Sequence, residues 1–160
     1  MGSTQIPVIS NVRIFYAIAQ ESFHEMKFDW EKRVSPKPNG ELGYIKRLDP
    51  EQKGFKAALK TIVFCGVCLD ALLHLLIGKH FGREECKNTD KYTYEDKLAI
   101  LGCTDYDLFD KCEYLRKIRK EIVHEKAYLD KGELRIAQRE AEKSIVSLDS
   151  ICQFFEVTLA

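Results

Sequence analysis

TIVFCGVCLDALLHLLI, residues 61–77, is the most hydrophobic stretch of the chain, and the fold turns on what it is. A bilayer span needs about 20 apolar residues and rarely tolerates ionisable groups. These 17 residues contain both Asp70 and His74. A central helix buried by its neighbours accounts for the same pattern. Such a helix needs polar partners for Asp70, because an unpaired buried carboxylate is costly.

Upstream, Asp49-Pro50-Glu51-Gln52 reads as the start of this helix, with an Asp cap, a proline at the first helical position and Gln52 placed to close a capping box. The helix then runs through Phe55, Leu59, Ile62, Gly66, Leu69, Leu73 and Leu76 and ends between Gly78 and Gly82. Residues 34–48, with Pro36, Pro38, Gly40 and Gly43, read as a loop. Before them Val12, Phe15, Ala19, Phe23, Met26 and Trp30 recur at steps of three and four, the period of a helix with one apolar face, over about residues 11–33.

Downstream, a polar link over 83–93 leads to a short helix over 94–101 that stops at Gly102. Thr104 and Asp107 have capping-box spacing, and the next helix carries Leu108, Cys112, Leu115, Ile118, Ile122 and Val123. Asp130-Lys131-Gly132 marks a turn. Leu134, Ala141, Ile145, Leu148, Cys152, Phe155 and Leu159 then keep the near-heptad spacing of a helix packed lengthwise. The expectation is an all-α bundle of four to five helices, forming one domain over 1–160. No β-type alternation, internal repeat or glycine-rich phosphate loop competes with it.

The 160 residues include 25 basic and 25 acidic side chains, so the formal charge is zero. That excludes the overall charge of a protein that coats DNA or a membrane surface. Any anion site must be local. The N-terminal residues 1–5 lack the charged start and apolar run of a signal peptide, so a cytoplasmic location with no membrane attachment is expected. Cys65 and Cys68 form a Cys-x-x-Cys motif, but it sits mid-helix without a second pair. Buried, reduced thiols are expected for the six cysteines, with no zinc and no other metal or cofactor.

The polar residues of the 108–123 helix are more informative. At 100° per residue Arg119 falls within the apolar stripe of Leu108, Cys112, Leu115 and Ile122. An arginine there must meet a carboxylate, line a cleft or face a second subunit. Asp70 is the natural carboxylate, so a buried Arg119–Asp70 pair that merely docks two helices is one reading. The other is chemical. Arg116, Lys117, Arg119 and Lys120 crowd four cations into five positions, with His124 one turn on. Arginine suits bidentate phosphate binding, and histidine moves protons near neutral pH. RNA supplies its own 2′-hydroxyl nucleophile, so these two groups suffice for cleavage without a metal. Glu113, Glu121 and Glu125 are interleaved with the cations, which also fits a plain solvated face. On an ideal helix Arg119 and His124 point about 140° apart, so shared chemistry requires a bulge, a bend or a partner chain.

The stretch EDKLAILGCTDYDLFDKCEYLRKIRKEIVHEKAYL, residues 95–129, resembles the core of a HEPN domain, with Arg119, four intervening residues and His124 as the carrying pattern. Leu69-Asp70-Ala71-Leu72-Leu73 on the preceding apolar helix matches the same layout. The resemblance covers about 49–155 and leaves the N-terminal helix unmatched. It implies an up-and-down bundle, a homodimer with facing Arg/His motifs, and metal-independent endoribonuclease activity in a toxin or antiviral defence setting. By that resemblance Arg119 would bind the scissile phosphate, His124 would transfer protons, and Asp70 would orient Arg119. Lys120 would support the site, with Arg116 and Lys117 on the RNA; an antitoxin or other protein partner would be in keeping. Lys120 departs from the small polar residue that follows the arginine in many active members. That leaves room for a silent module that dimerises or binds RNA or nucleotide.

Overall fold

The computed structural model describes residues 4–5, 10–123 and 137–159. Among these the chain forms β1 (Thr4–Gln5), α1 (Asn11–Arg33), β2 (Val34–Pro36), β3 (Tyr44–Lys46), α2 (Lys53–Phe81), α3 (Arg83–Asn88), α4 (Tyr94–Ile100), α5 (Tyr106–Val123), α6 (Ala137–Phe154) and β4 (Val157–Thr158). The architecture is an all-α bundle in which α2 touches every other described helix.

The hydrophobic pattern explains the arrangement. Helix α2 buries Leu69, Leu72, Leu73 and Ile77 completely, and the amphipathic α6 and α5 supply Leu148, Ile151, Cys112 and Leu115 against it. Truncating one of these leucines to alanine typically costs ~2–5 kcal/mol, the lost transfer energy plus the cavity left behind. A second lobe of core gathers Met26, Ala57, Ala58, Ile62, Ile118 and Ala141 where α1, α2, α5 and α6 converge. Although α2 is long and apolar enough to cross a bilayer, more than half of its most apolar window lies inside this fold.

Local differences from the sequence reading have physical causes. Residues 34–48 form not a plain loop but a short antiparallel hairpin, Val34 opposite Lys46 and Pro36 opposite Tyr44. The Lys46 ammonium sits 4.3 Å from the Trp30 ring centroid and ties the hairpin to α1. The Asp49-Pro50-Glu51-Gln52 segment is a turn, closed by the Gln52 N–H donating to the Asp49 carbonyl at 3.1 Å. Gln52 takes left-handed φ 54, and the helix begins at Lys53. Asp49 still serves the helix end, its Oδ2 accepting from the Gly54 N–H at 3.2 Å. Arg33 Nη2 holds its Oδ1 at 3.1 Å. Burial opposes the Asp49 charge, but the backbone N–H groups of Lys53 and Gly54 and the Arg33 guanidinium outweigh it and keep the carboxyl below its usual range.

Part of the polar link is helical, as α3. At the start of α5 it is Asp105, not Thr104, whose carboxylate accepts a backbone hydrogen bond, from Asp107 at 3.0 Å. The capping box lies earlier, at Thr93 and Asp96. The last helix ends at Phe154, and the chain turns at Glu156 (φ 52) into β4, parallel to β1. The expected turn at Asp130-Lys131-Gly132 and the position of Leu134 lie outside the described residues.

Candidate functional site

The site is organised from the start of α4. The Thr93 hydroxyl accepts from the Asp96 N–H at 3.2 Å, and the Asp96 carboxylate accepts in return from the Thr93 N–H at 3.2 Å. This reciprocal cap fixes Tyr94 as the first helical residue and aims its ring into the core, where it is 6% exposed. The Tyr94 hydroxyl donates to the Gly66 carbonyl of α2 at 3.0 Å and accepts from Arg119 Nη1 of α5 at 2.6 Å. Burial raises the Tyr94 pKa despite the opposing Arg119 charge, so the phenol stays neutral.

Gly66 makes this possible. A Cβ built there would stand 2.7 Å from Arg119 Cδ and 3.2 Å from Arg119 Cβ, so the arginine stem lies across α2 where α2 has no side chain. Arg119 is partly buried, as its place in an apolar stripe requires.

Asp70, expected to orient or pair with Arg119, does neither. It binds Lys97 Nζ of α4 at 2.8 Å. The physical reason is competition from α4: the Lys97 side chain is only 3% exposed and needs a carboxylate, while Arg119 reaches the Tyr94 hydroxyl, which is bonded to Gly66 one turn before Asp70 on α2. Asp70 and Lys97 also line a cavity of about 500 Å³ with His74, Asp90, Ser10 and Asn11.

The remaining cations divide. Arg116 is forked onto Glu95, Nε to Oε2 at 3.0 Å and Nη2 to Oε1 at 2.8 Å, which raises its pKa further. Lys117 pairs with Glu113 at 2.8 Å one turn back. Lys120 is exposed. His124 lies outside the described residues, which end in α5 at Val123. The structure therefore brings together Arg119, Tyr94 and Gly66, and separately Asp70 and Lys97. Tyr94, Lys97 and Gly66 were missed by the sequence reading. The overlooked signal was the Thr93-x-x-Asp96 spacing, which places Tyr94, Glu95 and Lys97 on the first turn of α4.

Among the described residues no group of three or more His, Cys, Asp or Glu side chains gathers as a metal site. All six cysteines are free and buried. Cys68 Sγ donates to the Val12 carbonyl at 3.5 Å and Cys86 Sγ to the His74 carbonyl at 3.2 Å, so these thiols serve packing. Comparisons with family models, with curated proteins and with solved structures find no match for this chain.

Proposed function

We propose that the protein is a metal-independent endoribonuclease of HEPN type, with Arg119 clamping the scissile phosphate and His124 in proton transfer. The observation that carries the reading is the Arg119–Tyr94 contact. A neutral hydroxyl orients the guanidinium without cancelling its charge, which a carboxylate would do, so the cation stays preorganised for a phosphate. In the reaction the RNA 2′-oxygen attacks phosphorus and gives up its proton, while the 5′-oxygen leaves and takes one. The products are 2′,3′-cyclic phosphate and 5′-hydroxyl ends. A homodimer would supply the facing His124, and the setting would be a cytoplasmic toxin or defence system with a protein partner such as an antitoxin.

The test is incubation of single-stranded or loop RNA in EDTA with wild type, Arg119→Lys and His124→Ala, followed by end mapping. Loss of one general acid or base should slow cleavage ~10²- to 10⁴-fold, and Arg119→Lys should weaken it by losing the bidentate fork. Equal RNA decay with wild type and folded His124→Ala defeats the proposal.

A second reading, a silent module that dimerises or binds RNA or nucleotide, draws on Arg116 and Lys117. Both are engaged by acids of the same chain, Glu95 and Glu113, rather than left for a phosphate. A folded dimer that neither cleaves nor retains RNA would favour the dimerising form of this reading.

A further inference from the structure

About three turns along α2 from Gly66, a different cavity of about 570 Å³ opens between the last turns of α1, strand β3, the turn into α2 and the first turn of α6. This is within the ~300–1,000 Å³ of small-ligand sites. Met26, Trp30, Leu48 and Phe55 give it an apolar lining. Its charged residues fall into two groups.

The first group is a closed clip. Arg33 Nε binds both Asp29 oxygens at 2.9 Å, Nη1 donates to the Leu48 carbonyl at 2.7 Å, and Nη2 meets Asp49 Oδ1 at 3.1 Å. All three guanidinium nitrogens face acceptors and both acids have the cation beside them, the Asp49 Oδ1 contact being an ion pair without hydrogen-bond geometry. The clip fixes α1, the end of the hairpin and the turn into α2 relative to one another, so the cavity walls are set in advance.

The second group, Lys46 and Arg47, is uncompensated: neither forms an ion pair with a carboxylate among the described residues, and both are exposed. The Lys46 ammonium stands over the Trp30 ring, joining a cation to an aromatic surface. Trp30 also borders a smaller cavity of about 300 Å³ together with Met26 and Gln138, so the ring contributes to the walls of both.

We infer that this cavity binds a nucleotide unit, its base against Trp30 and its phosphate at Lys46 and Arg47. Stacking accepts any base, and the cations select for the phosphate. The unit would come either from a free mononucleotide or from an unpaired position in an RNA strand. The inference shares no residue with the Arg119 site and does not rest on the ribonuclease reading.

The chain has one tryptophan, Trp30, so tryptophan fluorescence reports on the surroundings of that ring. The probes are AMP, adenosine, inorganic phosphate and a short single-stranded oligoadenylate, added to the otherwise full-length His124→Ala protein so that cleavage plays no part. A saturable change with AMP marks a free nucleotide as the source, and one with the oligoadenylate alone marks a strand. In either case adenosine should bind at least ~tenfold more weakly, the worth of a charge-assisted contact. Arg47→Glu, a change at an exposed side chain away from the Lys46–Trp30 contact, should leave the circular dichroism spectrum intact and weaken the response by a similar factor. Trp30→Leu, read by calorimetry, should abolish binding. Absence of an Arg47-sensitive change with both AMP and oligoadenylate overturns the inference, as does equal binding of adenosine and AMP.

Discussion

Arg119 and Tyr94 form one unit: Nη1 donates to the phenol oxygen at 2.6 Å, and the phenol donates onward to Gly66 of α2 at 3.0 Å. Helices α2, α4 and α5 thus meet in a single relay of hydrogen bonds, and the direction of Arg119 depends on a hydroxyl rather than on an opposite charge.

Tyr94→Phe should separate orientation from charge. Loss of the hydroxyl leaves two buried polar groups short of a partner and should cost ~1–3 kcal/mol. Urea denaturation measures that. At a temperature where both proteins are folded, the single-turnover cleavage rate at saturating RNA should fall roughly tenfold or more, because a misplaced clamp loses near-attack geometry. An unchanged rate would remove Tyr94 from the mechanism.

Gly66→Ala puts a methyl group where the Arg119 stem now lies, 2.7 Å from its Cδ. Better helix propensity returns up to about 1 kcal/mol, but the crowding should cost ~1–3 kcal/mol and displace the arginine. In the Arg119→Ala background the obstructing stem is gone, and the same alanine should be neutral or stabilising. A double-mutant cycle read by thermal unfolding checks the coupling. Additive effects would mean the two residues do not meet.

Asp70 and Lys97 make an asymmetric pair, with side chains 43% and 3% exposed. Asp70→Ala strands a buried ammonium and should destabilise by about 2 kcal/mol, less than a fully buried pair because Asp70 is partly solvated. Lys97→Met replaces the stem with apolar volume and should stay within about 1 kcal/mol of wild type. Neither change touches Arg119, so RNA cleavage by the folded fraction should persist. A collapse of cleavage in Asp70→Ala would restore the acid to the role first expected of it.

The reduced protein should lose stability in alkali. Burial raises the thiols of Cys112 and Cys152 from the ordinary 9.0 to about 12, and raises those of Cys65 and Cys68 still further. Burial, followed by the Asp149 charge, takes the Tyr16 phenol from 10.0 to about 12. Above pH about 9 the unfolded chain releases protons that the folded chain retains, so the stabilisation is complete below that pH and is lost as pH rises toward 12. Each such group contributes about 1.4 kcal/mol per pH unit within the window. The urea midpoint should be nearly flat from pH 7 to 8.5 and fall steeply by 10.5. A flat profile would mean the thiols are not buried.

The long helices were legible because burial of one face imposes a 3.6-residue period, and Val12 to Trp30 or Leu108 to Ile122 display it without help from neighbours. The hairpin was not, because strands of three residues containing Pro36 are too short to show alternation and are held by context, the Lys46–Trp30 contact among others. Asp49 was read as a simple cap because sequence spacing does not reveal Arg33, which claims one of its carboxylate oxygens. In the site, periodicity placed Arg119 on a core-facing stripe and Asp70 on a buried helix, but it could not say that α4 would supply a partner to each. That depends on Tyr94 and Lys97, which a short helix delivers together.

The parallel pairing of Thr4 with Val157 and Gln5 with Thr158 joins two segments that have all the helices between them in sequence. Parallel neighbours ordinarily need a crossover of a dozen or more residues, usually a helix; here the crossover is the entire bundle. Closing so long a loop has an entropic penalty that grows only logarithmically with length, but it must be met before the two short strands return anything. The ribbon therefore forms after the helices have carried its halves together and is the first backbone pairing to fray.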